Sequence, residues 1–375
     1  MSGAVACEPV AADVPALRTG WGLPLARGAY CRPSARSPRI AIIAAHYNLD
    51  FSHHYLAPLL AARGFGFLGW NTRFCGREAY FLLDRALVDI GLGVRWLRDH
   101  GAEVVVLLGN SGGGSLMAAY QAQAHAPVVR AARGARLAAG IDRLPPGDLY
   151  VSLAAHPGRP EVLTSWLDPS VLDERDPALT EPSLDMYDAC NGPPFPEDFV
   201  ERYRAAQRAR NQRVTEWCRR ELERMQNAGF PDRLFTLQRT WADLRFLDPA
   251  LDPNERSVPA CYLGDPARAN RGIDGIATVS SLRTWLAMWS LEESQCRSAD
   301  YLPQLRTPSL VVQAGADCGV FPSDAQAILA GLGSHDKQLV QVAGDHYFQT
   351  PATARQELAE LIAGWIAERT GRAPA

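Results

Sequence analysis

Lysine is almost missing from this sequence: Lys337 is the only one, so arginine supplies nearly all of the 38 basic residues. Against 41 acidic residues the formal net charge is −3, and the two signs are well mixed along the chain. A nucleic-acid binder would carry a basic surplus or stripe, and none is present. The arginine bias itself reads as the base composition of a genome. No run of 18 apolar residues occurs, which argues against a membrane span. The first residues carry neither a basic start nor an apolar stretch of signal-peptide length. No internal repeat or low-complexity tract appears. The eight cysteines (7, 31, 75, 190, 218, 261, 296 and 318) include no Cys-x-x-Cys pair, so a zinc ribbon or dithiol redox motif is not expected. None of His53, His54 and His156 has metal-ligand spacing with another histidine or a carboxylate, and no metal is expected. A chain of 375 residues can bury a large core without a disulfide framework. The expectation is a soluble, cytoplasmic protein with reduced thiols, able to form a homo-oligomer.

What is present is an alternation of strand-like apolar runs with helix-period segments, the pattern of a mostly parallel sheet covered on both faces. Leu17 to Cys31 reads as a short hairpin. Arg39–His46, Phe65–Asn71, Glu103–Leu108, Leu149–Ala155, Ser309–Ala314 and Gln338–Val342 read as buried strands. Helices are expected over Tyr55–Arg63, Phe81–His100, Ser115–His125, Asp324–Leu332 and Thr353–Arg369.

The rhythm breaks once. From Pro157 to Tyr301 no buried strand is legible, and proline-rich turns surround a long charged helix over Phe199–Asn227. A second helix is expected over Ser280–Glu293. Five of the nine tryptophans fall in this stretch, at 166, 217, 241, 285 and 289. A long insertion with its own helices and aromatics suggests a lid over residues 157–301, inserted into a core of residues 1–156 and 302–375. Mixed charges on the long helix suggest a solvated, ion-paired face.

The chemistry concentrates at Gly109-Asn110-Ser111-Gly112-Gly113, directly after one strand and before a helix. Strand, tight turn and helix make the context of a nucleophile elbow, in which a strained serine is presented at a helix N-terminus. A phosphate-binding loop is the competing reading, weakened by the absence of Gly-x-x-x-x-Gly-Lys. A serine hydroxyl needs a base. His346 is the best candidate, in the loop after the last strand. Asp317, closing Leu310-Val311-Val312-Gln313-Ala314-Gly315-Ala316-Asp317, is the best acid to orient it. Asp324 and Asp345 are its rivals.

With that elbow, an acid after the next-to-last strand and a histidine after the last, the chain resembles the α/β-hydrolase superfamily from about Leu17 to Ile366. The resemblance implies an eight-stranded, mainly parallel sheet with helices on both faces, a helical cap, and an active site beneath it. It leaves the substrate open. An oxyanion hole would take one N–H from Gly112 and a second from the loop His46-Tyr47-Asn48. The backbone of Tyr47 is the first choice there, with Asn48 next or the Tyr47 hydroxyl as a variant. Asn48, Asn110, Arg73 and His156 are further candidates for substrate contact. His53 and His54 read as solvated residues at a helix start, and Asp84 and Asp89 as capping or surface groups. The expected activity is cofactor-free hydrolysis of a carboxylic ester of a bulky, partly apolar small molecule. The same triad would equally serve carbon–carbon bond hydrolysis of a diketone, amide hydrolysis or acyl transfer. A ligand-binding protein without turnover is the reading from another class.

Overall fold

The structure, a computed structural model, describes residues 4–14, 25–35 and 37–371. A hairpin of β1 (Val5–Asp13) and β2 (Leu25–Pro33) leads into β3 (Ile40–His46), α1 (Ala57–Ala61) and β4 (Gly66–Asn71). There follow α2 (Leu83–Asp99), β5 (Val104–Asn110), α3 (Gly113–His125) and β6 (Leu149–Leu153). Within 157–301 lie α4 (Arg159–Trp166), the ribbon β7 (Val171–Asp173) with β8 (Asp176–Thr180), and the long α5 (Glu197–Asn227). The same segment holds β9 (Leu234–Thr236), α6 (Pro266–Arg271), β10 (Val279–Ser281) and α7 (Leu282–Thr284). The chain ends on β11 (Ser309–Ala314), α8 (Pro322–Gly331), β12 (Lys337–Val342) and α9 (Ala354–Thr370).

Eight strands form one sheet in the order β1-β2-β4-β3-β5-β6-β11-β12. β2 pairs antiparallel with β1 and β4, and every other pairing is parallel. Strands buried on both faces read as continuous apolar runs, because helices cover both sides. In β3 and β5 the side chains alternate. Ile43, Val105 and Leu107 join the cluster containing α2 and α3, whereas Ile42, Val106 and Leu108 join the one containing α1 and α9. Each such buried aliphatic side chain contributes roughly 1.5–3 kcal/mol. With all central strands parallel, their C-terminal ends share one edge, and the loops leaving that edge meet there.

Several expectations are corrected. The hairpin's first arm is β1, upstream of Leu17, while residues 15–24 lie outside the described residues. Cys7 and Cys31 are not reduced thiols but a disulfide, because the antiparallel register sets them directly opposite each other. The helix expected over Ser280–Glu293 is only α7 followed by a π turn at Trp285–Trp289. Ser290 Oγ accepts the N–H groups of Glu292 and Glu293 and so draws the chain out of the helix. Nor is α5 solvated throughout. Arg210 is fully buried and reaches Glu174 and the carbonyls of Asp168, Gln238 and Arg239, partners supplied by other segments.

Candidate active site

β5 ends at Asn110, and Ser111 turns the chain into α3 with φ 56, a left-handed conformation that L-residues adopt only under constraint. The constraint is visible in the hydrogen bonds: Ser111 N–H donates to Leu153 O, and Ser111 O accepts from Gly114 N and His156 N. Strand and helix approach so closely that a Cβ on Gly109 would lie 2.5 Å from Gly113 O, and one on Gly113 would lie 2.3 Å from Ala45 O. Only glycine fits at either place. The turn therefore holds the Ser111 hydroxyl at the positive end of the α3 dipole, beside N–H groups with no partner within the helix.

The loops after β11 and β12 bring two more side chains to this edge. His346 Nε2 lies 3.0 Å from Ser111 Oγ, and its Nδ1 lies 2.7 Å from Asp317 Oδ2. Asp317 is fully buried. Its Oδ1 accepts from the N–H groups of Gly319 and Val320 at 2.9 and 3.0 Å, which fixes the carboxylate plane and leaves Oδ2 for the histidine. The rivals are occupied locally. Asp324 accepts the Phe321 N–H at the start of α8, and Asp345 accepts the N–H groups of Tyr347 and Gln349. The structure thus brings together the serine, histidine and aspartate that the sequence singles out.

A fourth side chain joins them from the inserted segment. The Tyr262 hydroxyl donates to Asp317 Oδ1 at 3.1 Å and lies 3.0 Å from His346 Nδ1, with the two rings 4.4 Å apart. Burial and the neighbouring Asp317 charge push its hydroxyl pKa well up, so it stays a donor. Sequence reasoning missed Tyr262. It sits in a loop without periodicity or motif, and only the folding of 157–301 over the sheet edge carries it to the aspartate.

Gly112 caps α3 immediately beyond Ser111. Tyr47 is fully buried, and its hydroxyl is engaged 3.0 Å from Ser115 Oγ rather than with Ser111. Asn48 N–H points to His46 Nδ1 at 3.4 Å, and its buried Oδ1 has no hydrogen-bond partner among the described residues. His46, passed over in the sequence, packs directly against Gly112. Asn110 is a strut: Oδ1 accepts from His54 Nε2 and Tyr55 OH, and Nδ2 donates to Leu153 O. His54 is therefore buried, not solvated, and precedes α1 by three residues because its side chain faces β5. Arg73 is engaged in a bidentate pair with Asp89, itself fully buried rather than a surface group. Asp84 is buried as well and accepts Ala138 N–H.

His156 is buried beside the triad, its ring 6.3 Å from that of His346 and 5.7 Å from Trp166. Burial first, and then the neighbouring His346 and Arg159, push its pKa well down, so it is a neutral ring at pH 7. A cavity of about 180 Å³ adjoins it, lined by His156, Val162, Ser165, Arg245, Gly319 and Asp324 among others. Trp166 and Trp241 stack at 4.6 Å and belong to an apolar cluster with Val162. Among the described residues, no cluster of three or more His, Cys, Asp or Glu could hold a metal ion, and no helix is long and apolar enough to cross a membrane.

No protein-family model matches the sequence, and no curated protein does. Solved structures do resemble it. An α/β hydrolase, GrgF from Penicillium sp. sh18, superimposes with a TM-score of 0.54 at 11% identity, covering 98% of this chain and 100% of its own. The bacterial brefeldin A esterase, a homologue of human hormone-sensitive lipase, gives 0.51 at 13% identity over 98% of this chain and 78% of its own. DcsB, solved in complex with a substrate analogue, gives 0.51 at 14% identity over 98% of this chain and 100% of its own. Sheet order, helix placement and these superpositions agree: the chain has the α/β-hydrolase fold.

Proposed function

We propose that this protein is a serine hydrolase that cleaves a carboxylic ester of a small molecule through an acyl-enzyme on Ser111. The observation that carries the proposal is the unbroken chain from Asp317 through His346 to Ser111, with links of 2.7 and 3.0 Å, ending on a serine held at φ 56. In this reading His346 Nε2 takes the Ser111 proton as Oγ attacks the ester carbonyl. Asp317 Oδ2 accepts the Nδ1–H, holds the ring in the useful tautomer and stabilises the imidazolium that forms. The Gly112 N–H and the backbone N–H of Tyr47 receive the developing oxyanion, each worth roughly 3–4 kcal/mol in comparable sites. His346 then returns its proton to the departing alkoxide, and water repeats the cycle on the acyl-enzyme. No step calls on a cofactor.

Residues 157–301 act as the cap over this centre, tied to Asp317 by the Tyr262 hydroxyl on its Oδ1 and by Asn254 Nδ2 on its backbone oxygen. Tyr262 is a positioning residue: with its O–H on Oδ1, the aspartate cannot swing away from His346. The apolar cluster around Trp166 and Trp241, whose Val162 lines the cavity beside His156, suits a partly apolar substrate. Labelling with a fluorophosphonate probe followed by mass spectrometry tests the reading, and the adduct is expected on Ser111 alone. An adduct on Ser115 or on a cysteine, or a panel of esters left intact by labelled-competent protein, overturns it.

A further inference from the structure

The cavity of about 180 Å³ beside His156 takes no part in the triad chemistry, yet two of its lining residues support the triad. Gly319 gives its N–H to Asp317 Oδ1 at 2.9 Å, and the His156 N–H donates to Ser111 O at 3.2 Å. The His156 side chain is more than nine-tenths buried, and its ring makes no hydrogen bond among the described residues. A neutral imidazole carries one N–H donor and one acceptor nitrogen. A buried ring with both unmatched, lining a cavity, is placed to bond a guest.

The charged groups around the cavity are matched by the protein itself. Arg245 bonds Asp243 and Asp252, and Asp324 accepts the Phe321 N–H. Glu161 pairs with Arg297 through Oε1 and lays Oε2 against Gly158. A charged guest would have to break one of these pairs, whereas a neutral one with a polar atom suits His156. A cavity of about 150 Å³ takes up benzene, so this one holds a six-membered ring and little more. One face of α4 supplies Glu161, Val162 and Ser165 to its lining. Glu161, Ser165 and Arg245 also line an open groove of about 470 Å³ between α4 and α5, together with Val200, Leu251 and Leu291. The wall between the two spaces is one layer of side chains, and Ser165 is its smallest member.

We propose that this cavity seats one arm of the ester, an uncharged group of about six-membered-ring size with an oxygen that bonds the His156 ring. The wall of Glu161, Ser165 and Arg245 sets the upper limit on the length of that arm, and Val162 supplies its apolar contact. The proposal rests on Ser111 being the nucleophile.

Two series distinguish the acyl arm from the alcohol arm: 4-nitrophenyl esters of acids from acetic upward, and acetates of alcohols from methanol upward. In one of them kcat/KM is expected to rise about fourfold per added carbon up to cyclohexyl size and then to fall. Val162→Phe, which fills the cavity, is expected to lower the ratio of cyclohexyl-armed to methyl-armed ester by about tenfold or more. Ser165→Gly, which thins the wall, is expected to move the limit to longer arms. Oxygen-bearing tetrahydropyranyl rings set against cyclohexyl read the His156 bond, and His156→Phe should shift that preference about fivefold toward the carbocycle. Wild-type protein that labels at Ser111 and cleaves esters with no size limit in either series overturns this proposal and leaves the hydrolase reading standing. Equal loss of all members in Val162→Phe, an unmoved limit in Ser165→Gly or an unchanged ring preference in His156→Phe also overturns it. Protein that neither labels nor cleaves any ester sinks the hydrolase reading and this proposal with it. Should the variants fail to fold, the wild-type size limit decides.

Discussion

The central sheet and the segment 157–301 are held together by different forces. In the sheet, strands such as β3 and β11 are buried from end to end, and their neighbours are aliphatic. In the segment, arginine–carboxylate pairs run through the interior. Asp243 is fully buried between Arg204 and Arg245 at 2.8 Å each, and Asp168 is buried with Arg239 at 2.6 Å and Asn270 at 2.7 Å. Apolar burial has no direction and tolerates substitution that preserves volume. A buried ion network is directional, and removing one partner strands the others. The sheet therefore supplies a rigid frame for the triad, while the segment owes its shape to contacts that a single change can undo.

The largest expected effect breaks the comparison on the side of chemistry. Asp317→Asn should lower turnover by about 10⁴-fold while leaving the fold intact, because the amide permits the wrong imidazole tautomer. Asp345→Asn and Asp324→Asn should do far less. Steady-state kinetics on folded proteins checks this, and an Asp317→Asn variant retaining more than about a tenth of wild-type turnover refutes the assignment.

Next, Asp243→Ala should loosen the inserted segment by about 3–5 kcal/mol, since two guanidiniums would lose their buried partner. Hydrogen exchange should rise across 157–301 and stay unchanged in the β3 and β5 strands. A uniform rise would mean that segment and sheet unfold as one unit and are not held differently.

A third prediction concerns pH. Burial pushes the carboxyl of Asp324 up to about 6, against the opposing pull of Arg245 and with Asp252 and Asp243 nearby. The folded chain therefore binds this proton more tightly than the unfolded chain. The resulting stability is fully present below about pH 4 and is lost as pH rises through about 6. Asp324→Asn should remove that slope and stabilise the protein at pH 8 by up to about 3 kcal/mol. Denaturant melts at pH 5 and pH 8 measure it, and an unchanged difference between the two refutes it.

The smallest effect sits where the two regions touch. Tyr262→Phe removes one hydrogen bond to Asp317 and should lower kcat about tenfold with little change in KM. If KM moves instead, Tyr262 contacts substrate rather than positioning the triad.

Much of the frame was legible from local signals. The β11 strand is found at Ser309–Ala314, where the apolar run lies, and the elbow glycines announce a turn only small residues can make. Less was legible where partners are distant in sequence. Asn110 and Arg73 looked like substrate contacts, yet His54 and Tyr55 bond the one and Asp89 pairs with the other. The tryptophan-rich stretch after Ser280 looked helical because its apolar spacing could not reveal the side-chain capping by Ser290.

By itself the sequence determined what depends on near neighbours: the alternation of strand and helix, the tight turn at Ser111, and the placing of Asp317 and His346 on loops after the last two strands. Only the tertiary structure decided what depends on approach from afar. It set Cys7 opposite Cys31, buried Arg210 among the carbonyls of Asp168 and of the adjacent Gln238 and Arg239, and brought Tyr262 to Asp317. It also packed Arg159 against Gly112, its Nε without a partner among the described residues. The reason is physical: periodicity and turn chemistry are local properties of the chain. Hydrogen-bond partners for a buried polar group are chosen by packing, which the order of residues does not display.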